Sequence, residues 1–167
     1  LYTKTNLKTL SLMGDTDNQL GYLAPRGVAF LTKCLTNPNS SMEELNFRET
    51  YIGPEGGIIL GRALRNNTSL KVLNLHNTIF EGWQPFFDLL ENSSCTLRDL
   101  DLGGNGISDE DIEPMVGALN RMGSLTTLDM WQNPVSSSGW VSFFDLMAQP
   151  GGAMETFKTL TAHSTFD

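Results

Sequence analysis

Leu97-Arg98-Asp99-Leu100-Asp101-Leu102-Gly103-Gly104-Asn105 carries the pattern that decides the fold. Leu100 and Leu102 alternate with Asp99 and Asp101, so a short extended segment has one apolar and one polar side. The phrase returns as Leu7-Leu10-Leu12, Met42-Leu45-Phe47, Leu70-Leu73-Leu75, Leu125-Leu128-Met130 and, more weakly, Phe157-Leu160-Ala162. In chain order the first residues lie 35, 28, 27, 28 and 32 apart. Self-similarity at such a period marks stacked units, each too small to bury its own apolar face.

The second half of each unit has helical spacing. Trp83, Phe86, Phe87 and Leu90 fall at i, i+3, i+4 and i+7, as do Ile112, Met115, Val116 and Leu119, and Trp140, Phe143, Phe144 and Met147. Strand followed by helix at this period predicts an α/β solenoid with parallel strands on one side and helices on the other. The helices are of two kinds. Gly82-Trp83-Gln84-Pro85-Phe86-Phe87-Asp88-Leu89-Leu90 and Gly139-Trp140-Val141-Ser142-Phe143-Phe144-Asp145-Leu146-Met147 lie 57 residues apart and share six of nine positions. The units between them carry slimmer aliphatic helices, so bulky and small side chains alternate in a way that lets neighbours interlock. Ser108 and Asp111 form a capping pair, and the acidic run Asp109 to Glu113 reads as a solvated helix start rather than a metal site. The polar stretch from Gly14 to Ala24 reads as a loop insertion, and the long handover Gln149-Pro150-Gly151-Gly152 leaves the last unit in register at Phe157 or Met154, with Phe157 preferred.

These motifs resemble the leucine-rich repeat family, most closely its ribonuclease-inhibitor-like subclass. The resemblance runs from about Asn6 to the C-terminus and rests on stretches such as Asn67-Thr68-Ser69-Leu70-Lys71-Val72-Leu73-Asn74-Leu75. It implies a right-handed solenoid bent into a horseshoe arc, with the parallel sheet on the concave face and the helices on the convex face. The expected organisation is one leucine-rich-repeat domain over 1–167, of about six repeats, with strands near 7–13, 42–48, 70–76, 97–103, 125–131 and 157–163, as a fragment of a longer chain. The family places Asn three residues after the third apolar position. Here that position holds Asp15, Thr50, Thr78, Asn105, Asn133 and Thr165, so looser turns are expected at Thr50 and Thr78.

Composition narrows the function. The 167-residue chain carries a net charge of −8, which argues against nucleic-acid backbone and anionic lipid and favours a basic partner. No apolar run approaches the roughly 20 residues that span a bilayer, so membrane insertion is not expected. Cys34 and Cys95 are isolated and read as buried reduced thiols, without zinc spacing. An intracellular location is expected, in the cytoplasm or in an organelle after loss of a targeting segment.

The polar strand positions stack into columns at about 4.8 Å per rung. One is Thr9, Glu44, Val72, Asp99, Thr127 and Thr159; the next is Ser11, Asn46, Asn74, Asp101, Asp129 and Thr161; the third is Met13, Arg48, His76, Gly103, Trp131 and His163. Trp131 on an open face gains nothing from the core, and interface hot spots are enriched in Trp and Arg. Trp131, Asp129, Asp101, Asp99, His76, Arg48 and Glu44 are therefore the candidate partner contacts, with Gly103 leaving room beside the indole. Catalysis finds little support. Asp101 and Asp129 could form an acid pair, but no nucleophile or glycine-rich phosphate loop accompanies them, and the two histidines are three rungs apart. No catalytic residue, cofactor or metal is expected. The sequence thus reads as a non-enzymatic scaffold that binds a protein on its concave face. The alternatives are a structural subunit docking through uncapped ends, in contact with further repeats or another subunit, and a regulator of a small GTPase.

Overall fold

The computed structural model describes residues 6–12, 21–22, 25–37, 39–65, 67–78, 83–91, 96–152 and 155–162. Along the chain these form β1 (Thr9–Ser11), β2 (Gly21–Tyr22), α1 (Pro25–Thr36), β3 (Glu44–Asn46), β4 (Thr50–Tyr51), α2 (Gly53–Leu64) and β5 (Val72–Asn74). Then come α3 (Trp83–Glu91), β6 (Asp99–Asp101), a 3₁₀ turn at Asp109–Asp111, α4 (Ile112–Arg121), β7 (Thr127–Asp129), α5 (Ser137–Met147) and β8 (Thr159–Thr161). Six strands make one parallel sheet in the order β1-β3-β5-β6-β7-β8. The helices pack successively, α1 on α2, α2 on α3, α3 on α4 and α4 on α5.

Register follows the leucines. Leu10, Leu45, Leu73, Leu100, Leu128 and Leu160 stand opposite one another along the sheet, which sets Phe157 at the head of the last unit. With the helix residues they form one core cluster, in which Leu73, Leu100, Phe86, Leu119 and Phe143 are buried. Burying each such side chain contributes about 1.5–3 kcal/mol. A strand of three residues cannot do this alone, so the fold holds only as a stack.

Backbone bonds extend each rung beyond its strand. At the entry edge one carbonyl accepts two amides from the next unit: Lys8 O from Glu43 and Glu44, Glu43 O from Lys71 and Val72, Lys71 O from Arg98 and Asp99, and Arg98 O from Thr126 and Thr127. At the exit, the amides of Glu49, Asn77 and Gly104 donate to the carbonyls of His76, Gly103 and Trp131, each at 2.8 Å.

The turns at Thr50 and Thr78 are not looser than their asparagine counterparts. Thr50 Oγ1 donates to Leu12 O at 2.6 Å, just as Asn105 Nδ2 donates to Leu75 O at 2.6 Å and Asn133 Nδ2 to Leu102 O at 2.9 Å. Thr78 Oγ1 closes its own turn on Leu75 O at 2.9 Å, and its amide donates to Asn105 Oδ1 at 2.9 Å. A hydroxyl reaches the carbonyls an amide would reach, and the neighbouring Asn supplies the remaining acceptor. Asp15 and Thr165 lie outside the described residues.

The insertion between the first strand and α1 is not wholly irregular. Gly21–Tyr22 form a short strand that runs parallel to Thr50–Tyr51, so part of the loop satisfies its backbone on the neighbouring unit. Cys34 is a half-buried free thiol packed against the core, whereas Cys95 lies outside the described residues. Asn67, at the head of a glycosylation sequon, is buried and donates to Leu35 O at 2.7 Å while accepting from the Leu70 amide at 2.7 Å. Its amide belongs to the core. Among the described residues no helix is long and apolar enough to cross a membrane.

Candidate functional site

The face of the sheet turned away from the helices is built from the side chains flanking the strand leucines. Pairing places Asp99 between Val72 and Thr127, and Asp101 between Asn74 and Asp129. Together these six residues line a shallow hollow of about 230 Å³. Neither Lys nor Arg lines it. Three half-buried carboxylates therefore share one surface, a setting that attracts cations.

Each member of the second column has a structural duty that its residue type reveals only in three dimensions. Asn46 Oδ1 accepts the Arg48 amide at 2.9 Å, Asn74 Oδ1 the His76 amide at 2.8 Å, Asp101 Oδ1 the Gly103 amide at 2.9 Å and Asp129 Oδ1 the Trp131 amide at 2.8 Å. These are Asx turns that bend the chain out of the strand. The sequence signal was the run of Asn or Asp at one column position in four successive units. The turn accounts for that choice as well as any partner does.

Beyond the turns, the site has a layered end. Trp131 is 42% exposed, and its ring lies over His76 with centroids 6.5 Å apart and planes 20° from parallel. His76 is only 8% exposed, which corrects its expected place on the open face. The space beside Gly103 is occupied by this imidazole. A Cβ on Gly103 would sit 2.6 Å from His76 Nδ1, so only glycine admits the ring. His76 Nδ1 stands 3.5 Å from Asp101 Oδ1. His76 thus supports Trp131 from beneath and touches the acidic hollow with its other edge.

The structure gathers Asp99, Asp101, Asp129, His76 and Trp131 on the β5–β7 part of the sheet. Glu44 and Arg48 stand apart on the earlier β3 rung. Glu44 accepts from Thr9 Oγ1 at 3.4 Å, and the exposed Arg48 pairs with Glu49 at 3.2 Å. Met13 and His163, the ends of the third column, lie outside the described residues. Among the described residues no group of three or more His, Cys, Asp or Glu could hold a metal ion. The acidic run before α4 is a joint between units. Asp111 and Ser108 form a capping box. Asp109 accepts from the Ser136 hydroxyl and from the Ser136 amide, which hold its carboxyl below the usual range. Ser136 in turn caps α5 by accepting the Gly139 amide.

Residues 93–116 match the Leucine Rich repeat family. The chain is 28% identical over 93% of its length to NACHT, LRR and PYD domains-containing protein 2 of Homo sapiens. It is 33% identical over 72% of its length to the ribonuclease inhibitor of Sus scrofa. It spans 16% of the first protein and 26% of the second. Among solved structures, leiomodin-1 actin-binding site 2 superposes with a TM-score of 0.68 at 19% identity, covering 83% of this chain and 79% of that one. At that identity the likeness is one of fold.

Proposed function

The chain belongs to the leucine-rich-repeat family, in its ribonuclease-inhibitor-like branch, and from that premise we propose that it is a non-enzymatic scaffold gripping a basic protein segment on the concave face of its sheet. The observation that carries this reading is the exposed indole of Trp131 beside the hollow of Asp99, Asp101 and Asp129. A lysine or arginine of the partner placed in the hollow meets the carboxylates, and a second can lie on the indole, where the ring face attracts a cation. Such contacts set specificity and association rate more than raw affinity. The likeness to a protein named ribonuclease inhibitor supports a protein rather than a small molecule as partner. We place this activity in the cytoplasm. Glu44 and Arg48 extend the same face toward the first units as peripheral contacts.

The test is capture of partners from cell extract by the native chain and by a Trp131→Ala, Asp129→Asn double variant. Asparagine keeps the oxygen that accepts the Trp131 amide, so the turn survives and only charge and ring are removed. Partners recovered by the native chain are expected to be lost, with circular dichroism unchanged, and native binding is expected to weaken as salt rises. Equal recovery by both proteins would refute the reading.

A further inference from the structure

His76 stands where a change of its charge reaches both parts of the proposed grip, the indole and the acidic hollow. Its ring is buried beside Gly103, where an added Cβ would meet Nδ1 at 2.6 Å and Cε1 at 3.0 Å. Trp131 stacks on it from the solvent side. Its Nδ1 stands 3.5 Å from Asp101 Oδ1, the same oxygen that accepts the Gly103 amide at 2.9 Å. The other charged groups around the ring lie on the flanking rungs. On the side of β3, the Glu49 amide donates to the His76 carbonyl, and the Glu49 carboxylate is paired with Arg48 at 3.2 Å. On the far side, Asp99 and Asp129 flank Asp101 in the hollow.

Resting on the reading of this face as a grip for a basic segment, we infer that His76 is a proton-controlled release for that segment. The neutral imidazole leaves the site open to a cation, and the imidazolium closes it. Histidine changes charge between about pH 5 and 8, well above the range in which carboxylates ordinarily titrate. The charge of the site therefore changes through the imidazole. Proton uptake acts twice. It turns the Asp101 contact into an ion pair, which takes one of three carboxylates away from the partner. It also sets a cation against one face of the Trp131 ring, whose other face is offered to the partner, and like charges on the two sides of one ring repel. Packing beside Gly103 and beneath Trp131 keeps that charge in place. The coupling runs both ways, so a bound basic segment opposes proton uptake by His76.

The experiment follows binding of a hexa-arginine peptide to the full chain by calorimetry, at about pH 8 and about pH 5.5 and one ionic strength. Arginine keeps its charge throughout. The native chain is expected to bind about tenfold more weakly at the lower pH. His76→Gln is expected to bind with one affinity at both. In Asp101→Asn, which keeps the oxygen that accepts the Gly103 amide, the drop should shrink. Ring NMR of the native chain, which needs no variant to fold, should find His76 staying neutral to a lower pH once the peptide is bound. A native affinity equal at both pH values, a drop that persists in His76→Gln, or a His76 titration unmoved by peptide overturns the inference and leaves the grip standing. Absence of binding at pH 8, where the site is most open, overturns the grip and the inference with it.

Discussion

Gln132 holds φ +58°, and the residues at its place in the other units, Glu49, Asn77 and Gly104, have φ +58°, +54° and +66°. The turn leaving each rung requires the left-handed region, which costs a side-chain-bearing residue about 1 kcal/mol or more. Only one of the four described units meets it with glycine. Gln132→Gly is expected to raise the unfolding free energy by up to about 1 kcal/mol, measured by urea titration; a fall would show that the glutamine side chain holds something the geometry does not reveal. At the other edge of the sheet, Glu43 lies between Lys8 at 2.9 Å and Lys71 at 2.7 Å. Hydrogen bonds from Lys71 and then Lys8 pull its carboxyl from 4.5 down to about 2. The folded value is the lower one, so this contribution to stability is complete above about 4.5 and is lost as pH falls toward 2. Both partners are exposed, which makes the contribution small and salt-sensitive. Side-chain NMR should find Glu43 titrating well below other glutamates and moving upward in Lys71→Met. An ordinary titration point in the native protein would mean the lysines do not hold it in solution.

Individual turns and strands show what a repeat pattern conveys and what it hides. The leucine positions, the parallel register and the helical faces follow from period and polarity, because burial of Leu73, Leu100 and Leu128 admits only one side of each strand. The side chains on the other face obey less visible constraints. Asp101 and Asp129 were legible as exposed acids but not as turn acceptors, since either role selects Asn or Asp. His76 read as a surface histidine because nothing in a linear sequence reveals that Gly103, one rung later, vacates a seat for its ring. Thr78 read as a weak stand-in for asparagine because its partner, Asn105, comes 27 residues later. That ladder makes Asn105 the costliest turn residue. Its Nδ2 donates to Leu75, Leu102 and Gly103 carbonyls, and its Oδ1 accepts the Thr78 amide. Asn105→Ala strands these buried groups and is expected to cost about 3 kcal/mol. Asn105→Thr should recover part of this, because a hydroxyl performs the task at Thr50 and Thr78. The comparison is a pair of denaturant melts, and a threonine variant no more stable than the alanine one would sink the account.

Among the described residues the extensive element contacts run between adjacent units, so the single core is held as a chain of nearest-neighbour couplings. The interior strands β3, β5, β6 and β7 each bury their central leucine, whereas β1 and β8 leave theirs half-exposed. A stack of this kind frays from its ends, and its middle rungs open only when both neighbours do. Leu100→Ala in β6 removes packing from two interfaces at once and is expected to cost about 2–5 kcal/mol, broadening or splitting the unfolding transition as the halves on either side lose their coupling. Leu160→Ala in β8 touches one interface and should leave the main transition within about 1 kcal/mol of native while speeding amide exchange in the last rung alone. Native-state hydrogen exchange should then rank the amides of β5 to β7 as slowest and those of β1 and β8 as fastest. If Leu160→Ala shifts the whole molecule as far as Leu100→Ala does, the units are not coupled neighbour to neighbour.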